Sequence, residues 1–302
     1  EKLEHALSRH RKTESSLVYT TGYSAVLGVL STLADSRTTI FSDESNHASI
    51  IDGCRLSDAN IRIFRHNDIE HLLELLRNVK GKKILVTEGL FSIEGDMAKL
   101  KSICKLAKEF GVFTIVDDAH GDFVFGNRAS GTPSELSVNN LIDVHISSLS
   151  KALGCFGGYV ACTEMVRDYF INRSRQFIFT SAIPTHLCNA ALVGIGIAKK
   201  GLLQLELFNN VKMLHNGLKK IGYDIGNSSS QIIPIHIGSE KLATKFADIL
   251  LQKGIFVHPM RFPTVKRGSA VLRLSLSASH TKKQLCYALD ELEKLGKIHK
   301  VI

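Results

Sequence analysis

One lysine stands at an unusual place in this sequence. Lys151 follows an apolar, β-branched run and is followed at once by glycines, in the stretch SSLSKALGCFGG. A phosphate-cradling P-loop would place its glycines before the lysine, so this order argues against one. Gly154, Gly157 and Gly158 would let the backbone turn closely around whatever Lys151 reaches. Taken alone, the stretch fits either a solvated lysine in a glycine-rich loop or a lysine held in a pocket.

A second group of reactive side chains lies in the stretch IVDDAHG. It places Asp117, Asp118 and His120 directly after a run that reads as a buried strand. A carboxylate at the end of such a strand is costly to bury unless it meets a positive partner. Asp117 therefore needs a cation, which is either an internal arginine or a protonated pyridine nitrogen.

Together these residues match the requirements of a pyridoxal phosphate (PLP) site. Lys151 would form the Schiff base, Asp117 would keep the ring nitrogen protonated, and His120 would donate to the phenolic oxygen of the ring. His47, in SNHAS, is a flat group that could cover the ring, although it could equally cap a helix.

The phosphate of such a cofactor needs backbone N–H groups and hydroxyls at the start of a helix. The stretch TTGYSAVLGVL supplies them at Gly22, Tyr23 and Ser24, and Ser148 precedes the lysine by three residues. Gly22 by itself would also fit a plain turn.

The elements that must position these residues follow from the pattern of the first two hundred residues. Short β-branched runs alternate there with helical segments, which predicts an α/β sheet of crossover units. The predicted strands are TTIFSD, KKILVTEG, FTIVDD, VHISSLS and GYVACT. Ligands gather at the carboxyl ends of such strands, where these polar residues lie. We expect a large cofactor-binding domain over residues 1–200 and a smaller α/β domain over residues 201–302.

Composition narrows the class of protein. The chain has 302 residues, 44% of them hydrophobic, and a net charge of +9 that comes from short basic clusters such as Arg9 to Lys12. We interpret these clusters as solvated faces and expect no nucleic-acid partner, although a positive field would favour a polyanionic substrate such as a coenzyme A thioester. Six cysteines without a CxxC pair predict reduced thiols, no metal site and a cytoplasmic location. No apolar run reaches the roughly 18 residues of a membrane span.

Eight motifs in order resemble one family over essentially the whole chain, the α-oxoamine synthases among the fold-type I PLP-dependent transferases. The matching stretches are TGYSA, SNHASIIDG, FRHND, TEGLFSIEGD, VDDAHG, SLSKALG, FIFTSAIP, and RFPTV with LRLSLSASHT. The resemblance implies a mostly parallel central sheet flanked by helices, with a smaller C-terminal α/β domain. It also implies a homodimer with shared active sites, because Ser181 matches a hydroxyl that reaches the phosphate from the neighbouring subunit.

The same resemblance implies roles for individual residues. Lys151, Asp117 and His120 are implied to be catalytic. The residues implied to bind the cofactor are Gly22, Tyr23, His47, Ser92, Asp117, His120, Ser148, Lys151 and Ser181. Those implied to bind substrate are His47, Thr264 and Arg273, with the arginine holding the amino-acid carboxylate.

Members of this family differ in amino acid and acyl donor. RFPTV with LRLSLSA is most similar to the biotin-pathway branch, which joins L-alanine to a pimeloyl thioester carried by coenzyme A or by acyl carrier protein. Lys266 and Val271 depart from that pattern near the acyl side, and the family's N-terminal segment is expected to be absent. The alternatives are a glycine-using relative (2-amino-3-oxobutyrate ligase or 5-aminolevulinate synthase), a non-catalytic scaffold subunit and a nucleotide-binding Rossmann protein. The last would need a GxGxxG motif, which is missing.

Overall fold

A computed structural model describes residues 1–302 and divides them into two compact units. The first unit contains Glu1–Phe91 and Met97–Gly201, and the second contains Ser92–Asp96 and Leu202–Ile302. The short segment Ser92–Asp96 packs with the second unit although it lies within the sequence of the first. No helix in the chain is both long enough and apolar enough to cross a membrane.

A seven-stranded sheet forms the centre of the first unit. Its strands are β1 (Ser15–Tyr19), β2 (Thr38–Asp43), β3 (Asn60–Phe64), β4 (Lys82–Glu88), β5 (Phe113–Asp117), β6 (Val144–Ser148) and β7 (Gly158–Cys162). They are ordered β1-β7-β6-β5-β4-β2-β3. The five strands from β6 to β3 are parallel, whereas β7 and β1 are antiparallel to their neighbours. Parallel pairing brings the ends of β5 and β6 to the same edge, and those ends carry the predicted site residues.

Helices cover both faces of this sheet. They are α1 (Lys2–Arg11), α2 (Gly22–Leu33), α3 (Ala48–Leu56), α4 (Ile69–Arg77), α5 (Leu100–Glu109), α6 (Thr132–Glu135), α7 (Glu164–Arg173), α8 (Arg175–Ile178) and α9 (Thr185–Ala198). One core contains Ile115 and Ile146 with residues of α2 and α3, and a second contains Phe41 and Val116 with residues of α4 and α5. A third core, around Tyr159, contains residues of α1 and α9. Alternate residues of each strand therefore face different helical layers.

The second unit is a smaller α/β structure. Its elements are α10 (Leu202–Ile221), β8 (Ile232–Gly238), α11 (Glu240–Gln252), β9 (His258–Met260), β10 (Ala270–Ser275) and α12 (Lys282–Ile298). The three strands form an antiparallel sheet in the order β8-β10-β9. Strand β9 has only three residues, and one of them is Pro259, which cannot donate a hydrogen bond to a neighbouring strand.

The predicted fold class is confirmed, as are all five strands predicted in the first unit. Two strands, β1 and β3, were not predicted. β3 is an edge strand whose residues are mostly exposed, so its sequence lacks a buried apolar run. β1 begins with two serines that are nevertheless buried, and a polar start of this kind does not read as a strand.

One expectation about charge is wrong. The cluster from Arg9 to Lys12 is not a solvated face throughout, because His10 is 3% exposed and Arg11 only 1% exposed. Both residues continue the buried face of α1 that starts with Leu3 and Leu7, at the three- and four-residue spacing of a helix.

Candidate active site

Asp117 is a buried carboxylic acid at the end of β5. Its backbone is held by β-sheet pairing and by the N–H of Gly89, which donates to the Asp117 carbonyl at 2.7 Å. Burial raises the pKa of the side chain to about 7, and the neighbouring Asp118 acts in the same direction. The N–H of Ala119, which donates to Oδ1 at 3.1 Å, and the charges of Lys151 and Arg11 lower the pKa. A positive ligand beside Asp117 would therefore restore its ionised form.

Lys151 lies in the loop between β6 and β7. Its charge lowers the pKa of both Asp117 and His47, so its amine lies near these two side chains. The Lys151 residue is exposed in the structure, and its role as the lysine that binds the cofactor stays a prediction. The loop closes on itself, since the Leu149 N–H donates to the Gly157 carbonyl at 2.9 Å.

The glycines after Lys151 have two separate roles. Gly154 and Gly157 adopt φ angles of +59° and +118°, which side-chain-bearing residues rarely take. Gly158 instead gives space, because a Cβ atom on it would lie 2.4 Å from the backbone nitrogen of Gly22. The start of α2 thus packs directly on β7, next to the lysine loop.

The start of α2 lies close to Ser148. Thr21 caps this helix, accepting from the Ser24 N–H at 2.9 Å, while the Ser24 hydroxyl accepts from the Thr21 N–H. A Cβ atom on Gly22 would lie 3.0 Å from the Ser148 Cβ, so the first turn and this serine are adjacent. The N–H groups of a first helical turn have no partner in the helix and favour a phosphate.

Tyr23 and His47 lie on helices that start at this edge of the sheet. The Tyr23 hydroxyl donates to Asp52 at 2.6 Å, and this bond raises the pKa of the tyrosine. His47 caps α3, because its Nδ1 accepts from the Ser49 N–H at 3.2 Å. Burial and the charge of Lys151 lower the pKa of His47. The capping role is thus present, and a ring-covering role stays a prediction.

His120 sits in a tight turn directly after Asp117. The N–H groups of Gly121 and Asp122 both donate to the Asp118 carbonyl, at 3.0 and 2.8 Å. The side chains of Asp118 and Asp122 are buried on either side of the half-buried His120. The turn therefore holds the histidine between two anchored carboxylates.

The other predicted residues lie elsewhere. Ser181 is exposed in the segment between α8 and α9. Ser92, Thr264 and Arg273 belong to the second unit. There, the Arg273 Nε donates to the backbone carbonyl of Ser92 at 2.5 Å, and Thr264 is exposed in the loop after β9. Their roles toward a cofactor or substrate stay predictions.

Sequence reasoning missed Asn46, which fixes the loop before His47. Its side-chain amide donates to the Val86 carbonyl and to the Ser42 hydroxyl, both at 2.9 Å, and its Oδ1 accepts from the Glu88 N–H at 3.0 Å. A buried asparagine that replaces backbone partners in this way leaves no periodic signal in a sequence.

The residues of the first unit fit PLP. Asp117 is a buried acid that lacks a full counter-charge, as the partner of a cationic ring nitrogen should be. The amine of Lys151 lies near it, and the first turn of α2 lies against Ser148, where backbone N–H groups and a hydroxyl would suit a phosphate. The internal arginine that could have paired with Asp117 instead bonds to Asp118 and Asp122.

The fold and these residues define a class of protein that sequence comparison also finds. The family described as aminotransferase class I and II matches residues 1–292, and the chain belongs to this family.

Within the family, the predicted resemblance to α-oxoamine synthases is confirmed. The chain is 39% identical over 301 residues to 8-amino-7-oxononanoate synthase of Thermoanaerobacter pseudethanolicus, covering 98% of this chain and 76% of the relative. It is 38% identical over 302 residues to the enzyme of that name from Citrifermentans bemidjiense, covering 98% and 78%.

Solved structures give the same fold. Serine palmitoyltransferase from S. paucimobilis with a bound PLP-myriocin aldimine has a TM-score of 0.96 and 31% identity, covering 100% of this chain and 77% of that one. An 8-amino-7-oxononanoate synthase from Francisella tularensis has a TM-score of 0.86 and 29% identity, covering 99% and 87%.

Proposed function

We propose that the chain is a PLP-dependent acyltransferase of the biotin pathway that condenses L-alanine with a pimeloyl thioester to 8-amino-7-oxononanoate. In this reaction the alanine Cα bonds to the thioester carbonyl, the thiol leaves, and the alanine carboxylate is released as carbon dioxide. The observation that carries the proposal is the buried Asp117 beside Lys151 at the edge where β5 and β6 end. Sequence identity of 38–39% to two synthases of this name supports the choice of substrates.

Different residues of the first unit would bind different parts of the cofactor. The first turn of α2 and Ser148 would bind the phosphate, and Asp117 would hold the proton of the ring nitrogen. His120 would donate to the ring oxygen, and His47 would cover the ring. Bound PLP would supply the electron sink that makes the Cα proton of an amino acid removable.

Lys151 would carry the protons of the reaction. Its amine would take the Cα proton of alanine and return a proton to the same carbon after carbon dioxide leaves. Arg273 would hold the alanine carboxylate, because its planar fork matches the two oxygens. Ser92 and Thr264 would complete the cofactor and substrate contacts assigned to the second unit.

A spectral titration tests the proposed amino acid. The purified protein, loaded with PLP, should show a near-visible absorbance band, and L-alanine should perturb that band more than glycine or L-serine does. With pimeloyl-CoA added, mass spectrometry should detect 8-amino-7-oxononanoate. A clear preference for glycine would favour the glycine-using relatives, and an absent band would favour a non-catalytic scaffold.

A serine-using reaction is the second candidate. The observation that favours it is the TM-score of 0.96 to serine palmitoyltransferases, against 0.86 to the 8-amino-7-oxononanoate synthase from Francisella tularensis. Sequence identity favours alanine, since the palmitoyltransferases are 31–33% identical to this chain and the two 8-amino-7-oxononanoate synthases named first are 38–39% identical. The L-serine arm of the titration, repeated with palmitoyl-CoA as acyl donor, separates the two.

A homodimer completes the proposal. Ser181 is exposed and lies in a part of the chain whose surface carries several exposed apolar side chains, among them Met165 at 82%, Phe179 at 72% and Val193 at 64%. Such a surface is typical of a protein interface, and a second copy would explain how Ser181 reaches a phosphate. Light scattering should give twice the mass of 33.3 kDa. The free cysteines agree with the proposed cytoplasmic location.

A further inference from the structure

Behind the candidate site, a buried ionic cluster joins α1 to the turn that carries His120. It consists of His10, Arg11, Asp118, Asp122 and Tyr159, and we call it the Arg11 cluster. The side chains of Arg11, Asp118 and Asp122 are fully inaccessible to solvent. Burying three charged groups costs free energy unless each one is paired and hydrogen-bonded. The arrangement therefore needs an explanation beyond filling space.

Arg11 reaches both carboxylates that flank the histidine. Its Nη1 donates to Asp118 Oδ2 at 3.0 Å, and its Nη2 lies 3.2 Å from Asp122 Oδ1. Its Nε donates to the Tyr159 hydroxyl at 2.9 Å. A lysine could not make these contacts at once, since only the guanidinium is a planar fork with several donors.

Each carboxylate is bonded a second time. The N–H and hydroxyl of Thr132 donate to Asp118, at 3.0 and 2.6 Å. Asp122 pairs with His10 at 2.9 Å and accepts from the Tyr159 hydroxyl at 2.5 Å.

Glycines allow the backbone to pack closely against the ion pair of Arg11 and Asp118. A Cβ atom on Gly131 would lie 2.0 Å from Asp118 Oδ2 and 2.3 Å from Arg11 Nη1, and one on Gly121 would lie 2.3 Å from Asp118 Oδ1. Gly131 also has a φ of +88°. The pair thus lies in a tightly packed site with little freedom to rearrange.

Electrostatics link the cluster to the candidate site. Burial raises the pKa of Asp118 to about 6, and Arg11 opposes this shift. Burial also acts to raise the pKa of Asp122, but Arg11 and then His10 lower it to about 2. Arg11 thereby offsets negative charge next to Asp117, whose own pKa it lowers.

We propose that Arg11 is a positioning residue of the active site. It anchors the turn between Asp117 and Asp122 by binding Asp118 and Asp122, the two carboxylates on either side of His120. This inference rests on the proposed function for its meaning, because Asp117 and His120 matter only if they contact the cofactor. The inference gives α1 a role in the active site, although the sequence predicts that the basic residues of this helix are solvated.

The test compares Arg11→Met and Arg11→Lys with Leu7→Ala. Leu7 is a fully buried residue of the same helix, in the core that also contains Tyr159, and its truncation loosens packing while keeping every polar group of the Arg11 cluster. Amide hydrogen exchange is measured in the full chain without PLP, and the dissociation constant of PLP is measured by fluorescence. In Arg11→Met, exchange at Gly121, Asp122 and Thr132 should be about tenfold or more faster than in Leu7→Ala, since these amides report the anchored turn.

PLP binding provides the second readout. Its dissociation constant should rise about tenfold or more in Arg11→Met and less in Arg11→Lys, which keeps the charge but not the fork. Equal exchange in Arg11→Met and Leu7→Ala would overturn the proposal, as would unchanged PLP binding despite faster exchange. If Arg11→Met does not fold, the same comparison of Arg11→Lys with Leu7→Ala decides.

Failure of the two proposals can be told apart. A wild-type protein that binds no PLP would overturn the proposed function. The exchange rates, which need no cofactor, would still decide whether Arg11 anchors the turn.

Discussion

Gly158 in β7 and Gly22 at the start of α2 touch through their backbones. A Cβ atom on Gly158 would lie 2.4 Å from the nitrogen and 2.5 Å from the Cα of Gly22, closer than real Cβ contacts allow. The glycine after the lysine loop is therefore what lets the proposed phosphate-binding turn approach Ser148.

Replacing Gly158 with alanine should separate these two backbones. We expect Gly158→Ala to lower the free energy of unfolding by about 1–3 kcal/mol through overpacking, and to weaken PLP binding. Chemical denaturation and a PLP titration measure the two effects. Gly196→Ala is the matched control, because a Cβ atom at that helical glycine meets open space and should stabilise the chain by about 0.5–1 kcal/mol. Normal PLP binding by Gly158→Ala would contradict the close-contact argument.

Asp117→Asn should change how stability depends on pH in the protein without PLP. The folded pKa of Asp117 is about 7, above its ordinary value of 3.8, so its contribution is fully present below about pH 4 and is lost as pH rises through 7. The asparagine side chain does not titrate, so the variant does not lose this stability as pH rises. Relative to wild type, it should therefore gain roughly 2–4 kcal/mol in unfolding free energy between pH 5 and pH 8.

Urea denaturation of both proteins at the two pH values gives this difference directly. The same relative stability at pH 5 and pH 8 would show that Asp117 titrates normally. With PLP present, Asp117→Asn should bind the cofactor more weakly, because the amide cannot supply the negative charge.

Lys151→Ala should remove the near-visible band of the PLP-loaded protein and leave stability within about 0.5 kcal/mol of wild type, because the residue is exposed. Absorbance spectroscopy and thermal unfolding measure the two quantities. Lys200→Ala, at another exposed lysine, should keep the band. A band that persists in Lys151→Ala would mean that a different lysine binds the cofactor.

Two substitutions at His47 should separate its capping role from a role toward the cofactor. His47→Asn keeps a side-chain acceptor for the Ser49 N–H, whereas His47→Ala removes it and should cost about 1 kcal/mol of unfolding free energy. Both variants lose the ring. If the ring covers the cofactor, both should shift the absorbance band and raise the dissociation constant of PLP, while only His47→Ala is destabilised. A normal band in His47→Asn would leave His47 as a helix cap alone.

Much of the fold and of the candidate site follows from local sequence. Strands such as Thr38–Asp43 and Val144–Ser148 are buried throughout, so apolar and β-branched runs marked them. The ends of β5 and β6 then placed Asp117, Ser148 and Lys151 at one edge, since parallel strands share a direction. The edge strand β3 was not predicted, because its residues are mostly exposed and its sequence therefore lacks a buried apolar run.

The sequence by itself predicted the class of chemistry, because a lysine, an acid and a histidine follow predicted strands and eight motifs in order resemble one PLP-dependent family. Only the tertiary structure decided which charges are buried. Arg11 lies in a basic run that reads as a solvated surface, yet it binds Asp118 and Asp122, more than 100 residues away, behind the site. Whether a helical residue is buried depends on what packs against the helix. Contacts between distant parts of the chain cannot be recognised from the residues next to each contact in the sequence.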